Sequence, residues 1–391
     1  MFDWHLASGY RFAGIVSKLR KEPDRRDLAV IVSDAPAAAA GVYTQNRVCA
    51  APVQLSRGRT PGVVRAIVIC SGNANACTGE RGLRDAERMA ELVAIELNCP
   101  PEQVLVASTG VIGRPLPMPI LEEGIPLAVR AAKSGPEALC DAAHAILTTD
   151  TRIKVCTRKV GTATVTGFAK GAAMIGPNMA TMLGFIMTDA PLAPALAQAI
   201  LKKATDDTFN CISVEGHTST NDTVFLLANG TQPALGESDA KPFFEAVHGV
   251  CAELAREIAR DAEGARHLVT IDVEGCRTDA EARTIAKAIA ESALVKTAIA
   301  GGDPNWGRVV SAAGYSGVAF EERELSLWMG ETKLYESGAP LGFDAAAASK
   351  YLNDNREVTF RLVLTHGPGR CRFLTCDLTE EYVRLNADYT T

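Results

Sequence analysis

Three consecutive stretches restrict the class of fold open to this chain: VRAIVIC (64–70), GLRDAERMAELVAIELN (82–98) and QVLVAS (103–108). The first and third are short apolar runs and read as strands. In the second, Ala86, Met89, Ala90, Val93 and Leu97 recur at spacings of three and four, which gives a helix one apolar stripe and one charged, water-facing side. Strand, helix, strand is the rhythm of a mixed α/β fold. The rhythm continues: DLAVIVSD (27–34), TATVTGF (162–168), HLVTIDVEG (267–275) and EVTFRLVL (357–364) read as strands, and 194–206, 241–262 and 278–293 as helices. At 241–262 the apolar stripe is Phe244, Val247, Cys251, Leu254 and Ile258. No internal repeat or low-complexity linker divides these elements, and the alanine-rich APAAAAGVY (35–43) is not read as one. With 391 residues, 47% of them hydrophobic, the chain can bury a large core as one large or two closely joined domains.

Charge and motif content remove several function classes. A net charge of -6, with Lys and Arg scattered, gives no general pull toward nucleic acid or an anionic membrane. No window approaches the roughly 18 apolar residues of a membrane span, and the N-terminus has no apolar signal core. A cytoplasmic location is expected, with neither a nucleic-acid nor a membrane partner. Eleven cysteines, from Cys49 to Cys376, lack the spacing of a disulfide framework and read mostly as small buried hydrophobes. C-x-x-C, H-E-x-x-H and calcium-loop patterns are absent, so no metal is expected. The serine-hydrolase elbow, the P-loop and the dinucleotide fingerprint are absent too. NDT (221–223) matches a glycosylation acceptor, a chance match in a cytoplasmic chain.

Chemistry concentrates around KGAAMIGPNMATMLGF (170–185). Glycine and proline turn the backbone ahead of Thr181, and Met182, Leu183, Phe185, Ile186 and Met187 read as a buried strand. Thr181 is either a packing residue or a nucleophile held at a strand edge. As a nucleophile its hydroxyl needs a base. Attack on the Ala180 carbonyl, followed by hydrolysis of the ester, would free an α-amino group with a pKa of about 7.7–8.0, able to take the hydroxyl proton. VLVASTGVIG (104–113) ends its strand in Ser-Thr-Gly, which is a polar turn or an oxyanion hole built from Thr109 and the Gly110 N–H. GGDPNWGR (301–308) reads as a structured loop. Lys170 is a solvated loop charge unless the loop covers a pocket where a carboxylate needs a cation. Glu263, beyond a helix end, is a surface residue or the partner of a substrate ammonium.

KGAAMIGPNMATML resembles the self-cleavage segment of the glutamate N-acetyltransferase family, also called ornithine acetyltransferase, of the cyclic arginine pathway. Other blocks follow in family order: 27–53, SGNANACTGERGLRDA (71–86), ASTGVIG (107–113), ILTTDT (146–151), SVEGHTSTNDTVFLLANG (213–230), LVKTAIAGGDPNWGR (294–308) and NADYTT (386–391). The resemblance thus spans nearly the whole chain. It implies a layered α/β sandwich of the ornithine acetyltransferase (ArgJ/DmpA-like) type, a self-cleaving N-terminal-nucleophile enzyme. Cleavage between Ala180 and Thr181 would give segments 1–180 and 181–391, interleaved and assembled as a heterotetramer of two of each. Thr181 would be the nucleophile, and Thr109 and Gly110 the oxyanion hole. Thr148, Lys170, Thr181, Glu263, Asn386 and Thr391 would contact substrate. The implied reaction moves an acetyl group from N2-acetylornithine to glutamate, ping-pong, through an acetyl-threonine. It needs no metal or organic cofactor; acetyl-CoA enters only if the enzyme also acetylates glutamate directly. Departures from the family pattern are Ala172 and Ala173 for Ser-Gly, Gly176 for Ala, and Arg266 and His267 for Thr-Lys. Two other readings remain open: an amidase or aminopeptidase with the same threonine and water as acceptor, and a binding protein that never cleaves.

Overall fold

The structure is a computed structural model that describes residues 4–176 and 182–388. Two sheets organise it. The first holds β1 (Tyr10–Ile15), β2 (Leu28–Tyr43), β3 (Gly62–Asn73), β4 (Val104–Val111), β5 (Lys154–Val160), β6 (Ala163–Lys170), β7 (Leu183–Thr188) and β8 (Thr223–Ala228). The second holds β9 (Leu268–Cys276), β10 (Ser326–Met329), β11 (Thr332–Glu336), β12 (Ala339–Pro340), β13 (Glu357–Val363) and β14 (Gly369–Cys376). In the first the strand order is β4-β3-β2-β8-β7-β6-β5, with β1 paired to β2; in the second it is β12-β11-β10-β13-β9-β14.

Period-two burial explains how the first sheet feeds two cores. In β8, Val224 and Leu226 point to the side covered by the helices Pro194–Asp207 and Ala240–Arg260, and Phe225 and Leu227 to the other. That other side is aromatic: Phe168 stacks on Phe185 with ring centroids 5.1 Å apart, and Phe185 meets Phe225 at 6.2 Å. Over β2 to β4, the helices Gly79–Leu97 and Met118–Ala131 supply Met89, Val93, Leu121 and Ile125. The second sheet packs β9 and β13 against Ile285, Ile289, Ile299 and Val309 from three successive helices.

Local readings hold with three refinements. The alanine-rich 35–43 is the second half of β2, with Ala37 and Ala39 buried in the aromatic core and Ala40 beneath the helix Pro194–Asp207, whose Gln198 exchanges two 3.0 Å hydrogen bonds with the Gly41 backbone. On the helix Ala240–Arg260 the stripe turns by one residue: Phe243 is buried with Val247, Cys251, Leu254 and Ile258, while Phe244 is only half-buried. GGDPNWGR is a turn that becomes a helix, because the Asn305 side chain caps Trp306–Gly314 by accepting from the Arg308 N–H. No helix among the described residues is long and apolar enough to cross a membrane.

Candidate active site

The C-terminal end of β4 and the end of β6 meet at a cavity of about 150 Å³. Its walls include Thr109, Gly110, Thr148, Lys170, Glu263 and Asn386, six expected site residues drawn together from distant parts of the chain. Ala180, Thr181 and Thr391 lie outside the described residues.

β4 delivers Thr109 and Gly110 because it runs parallel to β3 as a buried ladder up to that point. Gly110 has φ +130°, and a Cβ there would stand 2.3 Å from the Gly72 carbonyl carbon, so only glycine allows the approach. Asn221 fastens this corner: its amide donates to the carbonyls of Ala74 (2.6 Å) and Ser108 (2.9 Å), and its own N–H reaches the Ser219 hydroxyl. Asn221 is therefore a buried strut in the cavity wall. Ser219 and Thr220 line the cavity beside it.

Lys170 ends β6, and its side chain is buried, with only 2% of the residue exposed; the alternative of a solvated loop charge is overturned. Its ammonium makes no hydrogen bond to a described residue. Burial lowers its pKa, with nearby Asp150 acting in the opposite direction. Asp150 sits under the site, accepting from the N–H groups of Gly171 (2.6 Å) and Thr148 (3.1 Å) and from Lys154 Nζ (2.7 Å). Lys154 also donates to Asp261 at 2.6 Å, so two buried cations face two buried carboxylates. Burial pushes the Asp150 carboxyl up, but Lys170 and Lys154 outweigh it and hold the group at about 2.

The opposite wall comes from the chain's end. Glu263 Oε2 accepts from Asn386 Nδ2 at 3.0 Å, and the Glu263 N–H donates to the Ala172 carbonyl at 2.9 Å. Asn386 lies on the last helix, Glu380–Asp388, which comes close because Gly264 (φ +67°) leaves room: a Cβ there would meet the Tyr382 nitrogen at 2.4 Å.

Both flanks of the undescribed 177–181 are tied to one loop. On one side the Ile175 carbonyl takes the N–H groups of Val214, Glu215 and Gly216, while the Ile175 N–H donates to Glu215 Oε1. Burial raises Glu215 to about 8. At Gly176 a Cβ would lie 2.6 Å from the Gly216 backbone, which accounts locally for the departure to glycine. On the other side the Met182 N–H donates to Asp222 Oδ1 at 3.1 Å; burial raises that carboxyl well above the usual range. Met174, just upstream and in the cavity wall, holds φ +57°, a strained conformation for a side chain of its size. The departure at His267 is also structural: its ring bonds Asp377 Oδ2 and the Leu352 carbonyl, each at 2.8 Å.

Asp150, Asn221, Asp222 and Glu215 were not anticipated as site residues. Asn221 and Asp222 belong to the NDT triplet, which matched a glycosylation pattern and lay within the family block 213–230 without pointing to either side chain. Among the described residues no group of three or more His, Cys, Asp or Glu side chains is arranged to hold a metal ion.

The sequence pattern of the ArgJ family matches residues 11–391. The arginine biosynthesis bifunctional protein ArgJ of Symbiobacterium thermophilum is 47% identical over 394 residues, which covers 98% of this chain and 97% of that protein. Its counterpart in Thermus thermophilus is 47% identical over 391 residues, 99% of each. Among solved structures, a chain of the arginine biosynthesis bifunctional protein argJ of Bacillus halodurans is 40% identical, with a TM-score of 0.51. The match covers 52% of this chain and 98% of that one.

Proposed function

The chain belongs to the ArgJ family, and from that premise we propose that it is a cytoplasmic, self-processing acetyltransferase of arginine biosynthesis that passes the acetyl group of N2-acetylornithine to glutamate. In processing, the Thr181 hydroxyl attacks the Ala180 carbonyl, the peptide C–N bond breaks, and water hydrolyses the resulting ester. Ala180 is left with a carboxylate and Thr181 with a free α-amine. That amine then serves as the base for its own hydroxyl.

In the first half-reaction the hydroxyl oxygen attacks the acetyl carbonyl of acetylornithine. Thr109 and Gly110 hold the oxyanion, the amide C–N bond breaks, and ornithine leaves with the transferred proton. In the second, the glutamate amine attacks the acetyl-threonine ester and leaves as N-acetylglutamate. Each oxyanion donor is worth about 10² to 10³ in rate. Lys170 holds the α-carboxylate that both amino acids share, Glu263 with Asn386 takes the free ammonium of ornithine, and Thr148 and Thr391 complete the contacts. No metal or organic cofactor has a part in this transfer; acetyl-CoA is the donor only if the chain also acetylates glutamate directly. The products 1–180 and 181–391 remain interleaved, two of each forming a heterotetramer.

The observation that carries this reading is the buried ammonium of Lys170, free of hydrogen bonds to described residues, in a wall shared with Thr109, Gly110, Thr148, Glu263 and Asn386. Asp150 offsets the cost of that charge, while the N–H donors of the ammonium remain for a ligand carboxylate. Intact-mass spectrometry tests the scheme. The wild type should appear as two fragments cut before Thr181, the later one gaining an acetyl group with acetylornithine and losing it to glutamate. Thr181→Ala should remain one 41.4 kDa chain without transfer. An uncut wild type, or free acetate as the sole product, would overturn the reading.

A further inference from the structure

Away from the cavity, the end of the helix Pro194–Asp207 meets β14 beside a cleft of about 570 Å³. There Cys211 Sγ and Cys371 Sγ lie 3.9 Å apart. The backbone fixes this proximity: Ile212 bridges Leu374, the Ser213 N–H donates to the Leu374 carbonyl at 3.0 Å, and the Cys211 N–H donates to Thr208. Cys371 sits where the register of β14 against β9 shifts, and it is half-buried in the cleft wall; Cys211 is buried behind it. The guanidinium of Arg283, on the helix Asp279–Glu291, faces both sulfurs and also lies 3.7 Å from Asp207. An S–H hydrogen bond from Cys371, followed by the Arg283 charge, lowers the Cys211 thiol against the effect of burial. By contrast, burial pushes Cys70 and Cys276 up to about 11 and Cys251 to about 12, which leaves them in the unreactive thiol form.

We infer that Cys211 and Cys371 form an oxidisable dithiol, a covalent modification site that hydrogen peroxide entering the cleft converts to a disulfide. One sulfur, as thiolate, attacks a peroxide oxygen; the O–O bond breaks, hydroxide leaves, and the sulfur becomes a sulfenic acid. The second thiol then attacks that sulfur, the S–O bond breaks, water leaves and the S–S bond forms. Two thiols are oxidised by two electrons in all, and one peroxide is reduced to two waters. The sulfurs must close to roughly 2.0 Å, a displacement of about 2 Å that side-chain rotation with a small backbone shift supplies. The cross-link joins the layer on the first sheet to the edge strand of the second, and a dithiol reductant restores both thiols. The inference is independent of the acetyl-transfer reading.

The test uses the full chain, reduced, titrated with hydrogen peroxide, alkylated and mapped by mass spectrometry without reductant. The expected result is a cross-linked peptide pair containing Cys211 and Cys371 and lighter by two hydrogens. It should appear at lower peroxide than modification of the exposed Cys77, and dithiothreitol should reverse it. In Cys371→Ser the pair should be absent, and any peroxide product at Cys211 should stop at a sulfenic acid that dimedone traps. If both cysteines in the wild type remain fully alkylated at doses that oxidise Cys77, or if wild-type Cys211 is oxidised without forming the pair with Cys371, the inference falls.

Discussion

Lys170 holds a charge where solvent barely reaches, and Asp150 offsets the cost of keeping it there. The two residues carry separable expectations. Lys170→Met removes the cation but leaves Asp150 bonded to Lys154, so the fold should survive. A charged hydrogen bond is worth about 1.5–3 kcal/mol, so the KM for both acetylornithine and glutamate should rise roughly 10- to 100-fold, with a smaller fall in kcat. Steady-state kinetics on both half-reactions would show it, and an unchanged KM would move the carboxylate elsewhere. For Asp150 the consequence is in stability. Its carboxyl is held at about 2 against an ordinary 3.8, so the native state binds this proton more weakly than the unfolded chain. The contribution is fully present above about pH 4 and is lost as pH falls toward 2, amounting to about 2 kcal/mol. Asp150→Asn should therefore be less stable than wild type in urea at pH 6, and the gap should narrow at pH 3.

Among elements, the last helix is the most consequential for the site, since Glu380–Asp388 brings Asn386 to Glu263 only through the opening at Gly264. Gly264→Ala would set a methyl group 2.4 Å from the Tyr382 nitrogen at a backbone angle that already favours glycine. The helix should be displaced while the two cores persist. We expect near-wild-type circular dichroism, a loss of substrate affinity of at least 10-fold, and faster proteolysis after residue 379; affinity unchanged from wild type would show that the helix does not position Asn386. Strands buried along most of their length, such as β3 and β7, were legible because their apolar runs need no partner to be seen. The half-exposed β5 (KVCTRKV) and β14 (GRCRFLTC) were not, because charged residues interrupt them and resemble loop. Site chemistry divided the same way. The Ser-Thr-Gly triplet was visible locally, although it continues β4 and is no turn, but the burial of Lys170 and the fastening role of Asn221 depend on contacts made far along the chain. Sequence spacing carries no signal for either. Thr181 and Thr391 owe their assignment to family resemblance, and a local pattern left the threonine open between packing and chemistry.

At the scale of the whole molecule, strand order decides what a cut before Thr181 can do. β7 and β8 belong to the later segment, yet they lie between β2 and β6 of the earlier one. Separating the segments would break six residue pairs between β2 and β8 and six between β6 and β7. It would also divide two cores, pulling Phe168 from Phe185 and Val165 from Ile186. With each backbone hydrogen bond worth about 1 kcal/mol net and each buried Phe or Ile about 1.5–3 kcal/mol, the lost peptide bond removes connectivity without approaching that sum. The cleaved protein should therefore elute as one particle from a native sizing column and resolve into two bands only in denaturant. The segment 181–391 produced alone should expose both edges of the β7–β8 pair and aggregate, since unpaired apolar strand edges recruit other chains. Native elution of 1–180 free from 181–391, or a soluble, monomeric 181–391, would mean that the first sheet does not hold the two segments together.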